Sequence, residues 1–165
     1  MKDLIFDMCG GMKPGRTLKA VIPGGSSVPI MTAAETNDCL LDYEGVVARG
    51  SMLGSAGMIV MDDSTDMVYQ IWRLARFYAH ESCAQCTQCR EGTAWTTKIL
   101  ERILAGKGKA ADLDLLLSLS ENMTGKTICV LSDSCAAPIV SGIAKFRSEF
   151  DAYLSGARQP ALAMA

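Results

Sequence analysis

The chain has 165 residues, of which 49% are hydrophobic, 21% charged and 6% aromatic, and its formal net charge at pH 7 is −2. This balance predicts a soluble globular protein and provides no basic surface for a nucleic acid. No apolar run approaches the roughly 18 residues needed to span a bilayer, and the first residues lack the apolar core of a signal peptide. We therefore expect a cytoplasmic protein without a transmembrane segment.

The first 62 residues predict a small α+β unit. Apolar residues at helical spacing in 1–8 precede a Gly-Gly pair, which predicts a short helix that ends there. Two apolar runs, 18–22 and 58–61, predict buried strands. The sequence between them is rich in glycine, proline and polar residues, which indicates loops.

The pattern changes to amphipathic helices in 63–165. Residues 62–66 are Asp-Asp-Ser-Thr-Asp, and such side chains cap the amino end of a helix. Short connections between amphipathic helices predict antiparallel packing, so we expect a four-helix bundle followed by a frayed tail over 155–165. The four predicted helices cover about 66–81, 91–105, 110–122 and 133–155.

Three cysteines two residues apart, Cys83, Cys86 and Cys89, are the strongest chemical signal in the chain. Three thiolates in so short a segment converge only around something that they bind together. Iron–sulfur clusters are held by such runs together with a distant fourth cysteine. Structural zinc is the alternative, although it ordinarily uses two separated Cys-x-x-Cys pairs. The seven cysteines, an odd number without a secretory signal, argue against a disulfide framework.

Two cysteines compete for the fourth ligand position. The triple is predicted to lie between the first and second helices of the bundle, and Cys129 lies before the fourth helix. An antiparallel bundle brings these two connections to the same end, which favours Cys129. Cys135 is the rival, but it is predicted to lie within the fourth helix. We expect Cys9, Cys39 and Cys135 to be buried free thiols.

The segments around these cysteines resemble the NADH-binding flavoprotein subunit of respiratory complex I, the NADH:quinone oxidoreductase. Residues 80–93 (HESCAQCTQCREGT) are similar to its cluster loop, and 126–131 (KTICVL) to its fourth-ligand segment. Residues 20–27 and 59–62 are similar to its β-grasp, soluble-ligand-binding region. Ala84 departs from the family pattern, because glycine is usual at that position.

The resemblance implies that Cys83, Cys86, Cys89 and Cys129 bind a 4Fe–4S cluster, which receives single electrons from FMN after NADH is oxidised. It implies two kinds of partner: a flavin- and NADH-binding domain or chain, and other iron–sulfur subunits of an assembly peripheral to the inner membrane. Diaphorase subunits of NAD-linked hydrogenases and formate dehydrogenases are relatives of the same family. They remain alternatives.

The chain contains no glycine-rich phosphate-binding segment of the kind that holds FMN or NADH. We therefore expect it to correspond to the C-terminal part of such a subunit and to be inactive towards NADH alone. On this interpretation, 1–62 is a partial β-grasp domain and 63–165 is the helical cluster-binding domain.

The sequence also predicts the positions or roles of four further side chains, which lie near the cysteines or on the predicted helices. His80 is predicted to be a hydrogen-bonded packing residue, and Trp72 and Trp95 to lie in the core. Arg90 follows the third cysteine. It either balances the charge of the cluster or is a solvated charge at the start of a helix.

Overall fold

The structure is a computed structural model that describes residues 1–161. These residues form two compact units, of which the first is Met1–Thr65 and the second begins at Asp66. The predicted combination of α and β structure is confirmed as a helix-rich chain with one small sheet. In the part of the chain that is described, no helix is long and apolar enough to cross a bilayer.

Eleven elements follow one another along the described chain. The first unit contains a π-helical segment Leu4–Met8, strands β1 (Leu18–Ile22), β2 (Met31–Thr32) and β3 (Ile59–Asp62), and helices α1 (Ala33–Asn37) and α2 (Tyr43–Ala48). The second unit contains helices α3 (Met67–Glu81), α4 (Thr87–Leu104), α5 (Ala111–Met123), α6 (Leu131–Lys145) and α7 (Arg147–Leu154).

The sheet of the first unit is antiparallel, in the order β2-β1-β3. Val21 on the central strand is fully buried and lies opposite Met31 on one side and Val60 on the other. The predicted strand at 18–22 is confirmed, and the second is confirmed one residue later than predicted. The core of this unit consists of buried apolar side chains from the amino terminus, the sheet and the short helices: Met1, Ile5, Val21, Met31, Cys39 and Val46.

Two short helices of the first unit were not predicted, although each has a capping signal. Thr32 and Glu35 form a reciprocal capping box at the start of α1. Asp42 accepts the Gly45 amide at the start of α2. Helices of five and six residues are too short to show an apolar period, so the caps were their only mark in the sequence.

The helices of the second unit pack against their sequence neighbours and also against helices farther along the chain. Helix α3 contacts α4 and α6, α5 contacts α4 and α6, and α7 contacts α3, α4 and α6. The predicted helices at 66–81 and 110–122 agree with α3 and α5 to within one residue at each end. Buried leucine and isoleucine side chains from these elements form the centre of the unit: Ile71, Leu100, Ile103, Leu104, Leu113, Leu116 and Ile139.

Two helix boundaries differ from the prediction. Helix α4 begins at Thr87 rather than near 91. Of its first four residues only Cys89 is buried, so this turn shows no apolar period in the sequence. The predicted helix over 133–155 is two helices, α6 and α7, separated at Phe146 (φ −123°, ψ 31°). The apolar spacing continues across this break, so the sequence did not reveal it.

The amino end of α3 is tied to α7 and the segment after it by a network of charged side chains. Asp66 accepts a hydrogen bond from the Tyr153 hydroxyl (2.5 Å) and lies 3.3 Å from the Arg158 guanidinium. Glu149 accepts the Met67 amide at 3.1 Å and also pairs with Arg158 at 3.2 Å. The bond from the Met67 amide satisfies a donor that a helix leaves unpaired at its start, and the network fixes α7 against α3.

The expectation of a frayed tail over 155–165 is wrong for the residues that are described. Arg158 belongs to the network just given, and the Ala161 amide donates to the Leu104 carbonyl at 2.9 Å. Two side-chain pairs and a backbone bond therefore hold this segment against the helices. Residues 162–165 lie outside the described part of the chain.

A buried ion pair closes the connection between α4 and α5. Asp112, whose side chain is 5% exposed, accepts two hydrogen bonds from Arg102 and one from the Lys109 amide at 2.9 Å. Burial raises the pKa of Asp112, but the hydrogen bonds from Arg102 and Lys109 outweigh this effect and hold the pKa below its ordinary value. The carboxylate thus fixes the direction in which α5 leaves α4.

Candidate metal centre

The cysteine triple lies where α3 ends and α4 begins. Ser82 adopts an extended conformation that terminates α3, and Cys86 is the extended residue immediately before α4. Cys83 is exposed, Cys86 is partly buried, and Cys89 is buried in the first turn of α4. The prediction that all three lie in a connection is therefore wrong for Cys89. Its helical position puts it on the same side of α4 as Cys86, three residues earlier.

The start of α4 is electrostatically suited to an anionic group. The first amides of a helix have no partner within the helix, and its dipole is positive at that end. No side-chain hydrogen bond caps α4 at Cys86. Thiolates at Cys86 and Cys89 would be stabilised by this end of an 18-residue helix.

The backbone of the cysteine connection is held in an uncommon conformation at Ala84. Its φ angle is +63°, in the left-handed region that favours glycine. The Ala84 amide donates to Ser82 Oγ at 3.3 Å, and the Ala84 carbonyl accepts from the Arg90 guanidinium at 2.9 Å. Arg90 also pairs with Glu91 at 2.9 Å. Arg90 therefore stabilises the connection between α3 and α4. Neither predicted alternative, a charge that balances the cluster or a solvated charge at the start of a helix, included this role.

The Cys129 segment reaches the triple through a backbone contact. Cys129 is exposed in the connection between α5 and α6, and the amide of its neighbour Ile128 donates to Cys86 Sγ at 3.4 Å. The Thr127 hydroxyl donates to the Cys129 carbonyl at 2.8 Å, and Ser132 Oγ lies 2.6 Å from the Thr127 hydroxyl. The structure thus places the α3–α4 and α5–α6 connections side by side at Cys86.

Cys135, the rival fourth ligand, is located differently. It is fully buried within α6, and burial, reinforced by the nearby Cys89, raises the pKa of its thiol to about 12. The thiolate is the form that binds metal, so such a thiol is a poor ligand in this conformation. Burial also raises the pKa of Cys39, whereas Cys9 is exposed. The expectation of a buried thiol is confirmed for Cys39 and Cys135 and wrong for Cys9.

Three other predicted residues have mixed outcomes. Trp72 is buried as predicted, and its indole donates to Glu101 at 3.3 Å. His80 bonds to its neighbour Glu81, but its side chain is 85% exposed and does not pack in the core. Trp95 is 52% exposed, so its predicted core position is wrong. It lines a groove of about 280 Å³ between α4 and α5, with mainly apolar walls.

The donor set fits an iron–sulfur cluster in its chemistry. Across residues 1–161, no three His, Cys, Asp or Glu side chains lie close enough together to hold one metal ion. In a cubane cluster each thiolate binds a different iron, and four cysteines are the usual complement. The candidate set is completed by two exposed thiols, Cys83 and Cys129, on connections that flank the more buried Cys86 and Cys89.

Comparison with known families identifies this region. The family model described as the NADH-ubiquinone oxidoreductase-F iron-sulfur binding region matches residues 69–153, more than half of the chain. The chain belongs to this family. The predicted family, and with it the predicted 4Fe–4S type of cofactor, is confirmed. The matched region runs from the start of α3 to the end of α7 and includes all four candidate ligands.

Curated relatives extend the similarity into the first unit. An F-type subunit of the NADH-quinone oxidoreductase of Rhizobium meliloti (strain 1021) is 47% identical over 150 residues, which cover 90% of this chain and 35% of the relative. The F-type subunit of the same enzyme from Streptomyces coelicolor is 48% identical over 152 residues, which cover 92% of this chain and 34% of the relative. The chain therefore spans about a third of the length of these relatives.

Solved structures agree with this placement. An NAD+-reducing NiFe hydrogenase in the air-oxidized state superposes with a TM-score of 0.78 at 31% identity, covering 98% of this chain and 27% of that chain. The H2-reduced state of an NAD+-reducing NiFe hydrogenase gives a TM-score of 0.73, covering 91% of this chain. The similarity includes most of both units.

Proposed function

We propose that this chain carries electrons within a complex I-type NADH dehydrogenase, with Cys83, Cys86, Cys89 and Cys129 as ligands of a 4Fe–4S cluster. When bound, the cluster takes up and releases one electron at a time. The observation that carries the ligand assignment is the hydrogen bond from the Ile128 amide to Cys86 Sγ, because it joins the connection of the triple to the connection of Cys129.

Each part of the site has a separate task in this proposal. The start of α4 supplies Cys86 and Cys89 together with a positive dipole, which stabilises thiolates. Burial of Cys89 excludes water from one side of the site, and a shielded site strengthens the hydrogen bonds made to its sulfurs. Arg90 holds the intervening connection and places a positive charge near the ligands.

The partners follow from the family and are part of the proposal. Electrons would arrive from FMN and NADH bound by another domain or chain, and would leave to further iron–sulfur subunits of a complex peripheral to the inner membrane. The names of the curated relatives support the NADH:quinone oxidoreductase assignment. The similarity to NAD+-reducing hydrogenases supports a second candidate, a diaphorase subunit of an NAD-linked hydrogenase.

We also propose the finer architecture. The three-stranded antiparallel sheet supports a partial β-grasp domain over 1–62, and the packing of α3 to α6 supports a four-helix cluster-binding domain over 63–165. On this view the break at Phe146 turns the chain from the fourth helix of the bundle into a shorter helix that covers its end.

Anaerobic reconstitution of the full chain tests the proposed function. The proposal expects about four irons and about four sulfides per chain, and an EPR signal that develops after reduction with dithionite. A colourless protein that binds one zinc and no sulfide would contradict it and indicate a structural metal site instead.

A further inference from the structure

Ser82 lies between the end of α3 and the cysteine triple, and its hydroxyl faces a proposed ligand. Ser82 Oγ is 3.3 Å from Cys89 Sγ. The same oxygen accepts the amide of Ala84 at 3.3 Å. Cys89 is buried, with 7% of its surface exposed, so little water competes for its sulfur. The contact therefore joins the Ser82 hydroxyl, which a substitution by alanine removes, to the most buried of the four proposed ligands.

The direction of this hydrogen bond follows from the protonation state of Cys89. A serine hydroxyl has one proton to donate and two lone pairs that accept. The Ala84 amide occupies one lone pair, and the hydroxyl proton is directed to a separate acceptor. A thiolate bound to iron has no proton, so in the loaded protein the hydroxyl is the donor and Cys89 Sγ the acceptor.

We propose that Ser82 is a positioning residue that raises the reduction potential of the cluster by donating a hydrogen bond to Cys89 Sγ. This inference rests on the proposed function, since it requires Cys89 to be a ligand. Reduction adds negative charge that the sulfurs share, and a hydrogen bond to sulfur stabilises the reduced state more than the oxidised state. The buried position of Cys89 strengthens the effect, because the local dielectric constant is low.

Two roles of Ser82 must be separated in the test. Besides contacting Cys89, its oxygen supports the left-handed conformation of Ala84, and its loss would loosen the connection. Glycine adopts that conformation without a penalty. In an Ala84→Gly background, the connection depends less on Ser82. A change in potential there reports the bond to sulfur rather than a rearranged loop.

The experiment uses the full chain after anaerobic reconstitution. The variants are Ser82→Ala, Ser82→Thr, which keeps the hydroxyl, and Ser82→Ala combined with Ala84→Gly. Ser118→Ala, at an exposed position on α5, is the matched control. Iron and sulfide content, the midpoint potential from an EPR-monitored redox titration, and the coupling of exchangeable protons to the reduced cluster in H2O and D2O are measured for each.

We expect Ser82→Ala to keep its iron, to have a lower midpoint potential and to lose one exchangeable-proton coupling, both alone and with Ala84→Gly. Ser82→Thr and Ser118→Ala should match the wild type. An unchanged potential and proton coupling at full iron content would overturn the inference and leave the proposed function intact. Loss of iron from Ser82→Ala, both alone and combined with Ala84→Gly, would also overturn it, because Ser82 would then be a structural residue. A wild-type chain without iron would instead contradict the proposed function.

Discussion

Replacing Ala84 by glycine should stabilise the chain, contrary to the usual effect of this substitution. Ala84 has a φ angle of +63°, a conformation in which the Cβ atom is crowded by the backbone. The hydrogen bonds that hold this residue, to Ser82 and from Arg90, use its amide and its carbonyl. Both groups remain in glycine, so the substitution removes the crowding and keeps the contacts.

The magnitude follows from two opposing terms. A left-handed conformation costs a residue with a Cβ atom about 1–2 kcal/mol. The greater freedom of glycine in the unfolded chain offsets about 0.4–1 kcal/mol of the gain. We therefore expect a net stabilisation of about 0.5–1 kcal/mol. With a urea m-value of about 2 kcal/mol/M, the unfolding midpoint should rise by about 0.3–0.5 M.

Urea unfolding of the full chain, followed by tryptophan fluorescence, measures this change. Both tryptophans of the chain, Trp72 and Trp95, lie in the second unit and report on its unfolding. Ala79→Gly in the body of α3 is the matched control and should lower the free energy of unfolding by about 1 kcal/mol. If Ala84→Gly lowered the free energy of unfolding as much as Ala79→Gly does, Ala84 would not have a left-handed conformation.

Two further variants test the contacts that fix the second unit. Asp112→Asn should lower the free energy of unfolding by about 2–3 kcal/mol at pH 7, because it leaves Arg102 (40% exposed) without its buried partner. Burial raises the pKa of Asp112, but the hydrogen bonds from Arg102 outweigh this effect and the pKa is lowered. The stabilisation by the ionised carboxylate is therefore complete above the ordinary pKa of 3.8 and is lost as the pH falls through the folded-state pKa. Urea midpoints of wild type and variant should therefore converge on acidification, and a constant difference would contradict the assignment. Tyr153→Phe should lower the free energy of unfolding by about 1–2 kcal/mol, because the hydrogen bond to Asp66 is lost. Thermal melting measures this change, and Tyr43→Phe, at a 68% exposed residue, is the control that should have no effect. Equal melting temperatures of the wild type and both variants would refute the contact.

The helices whose bounds could be predicted from the sequence are those with a repeat of buried apolar residues that runs close to both ends. Helices α3 and α5 meet this condition, and their bounds were predicted closely. Of the first four residues of α4 only Cys89 is buried, so no apolar repeat marks this turn and the start of the helix was placed too late. Ile143, Phe146 and Phe150 keep helical spacing across the break between α6 and α7. Periodicity alone does not detect a change of direction that leaves the spacing unchanged.

The candidate site was predictable in its residues but not in its supports. Cysteine spacing indicated the triple, and the order of the helices indicated Cys129. Ser82 and Ile128 contact the sulfurs of Cys89 and Cys86. Arg90 donates to the carbonyl of Ala84, a residue other than glycine that has a left-handed backbone. No short pattern marks that conformation. The one signal was the resemblance to a family in which glycine is usual at position 84, since glycine adopts this conformation readily.

The iron content of two cysteine variants decides whether Cys129 or Cys135 is the fourth ligand. Cys129→Ser and Cys135→Ala are reconstituted anaerobically beside the wild-type chain, and iron, sulfide and the EPR spectrum of the reduced protein are measured. We expect Cys129→Ser to lose most of its iron and Cys135→Ala to retain it, since Cys135 is a buried neutral thiol within α6. Full iron in Cys129→Ser, with loss of iron from Cys135→Ala, would contradict the assignment of Cys129 and make Cys135 the fourth ligand.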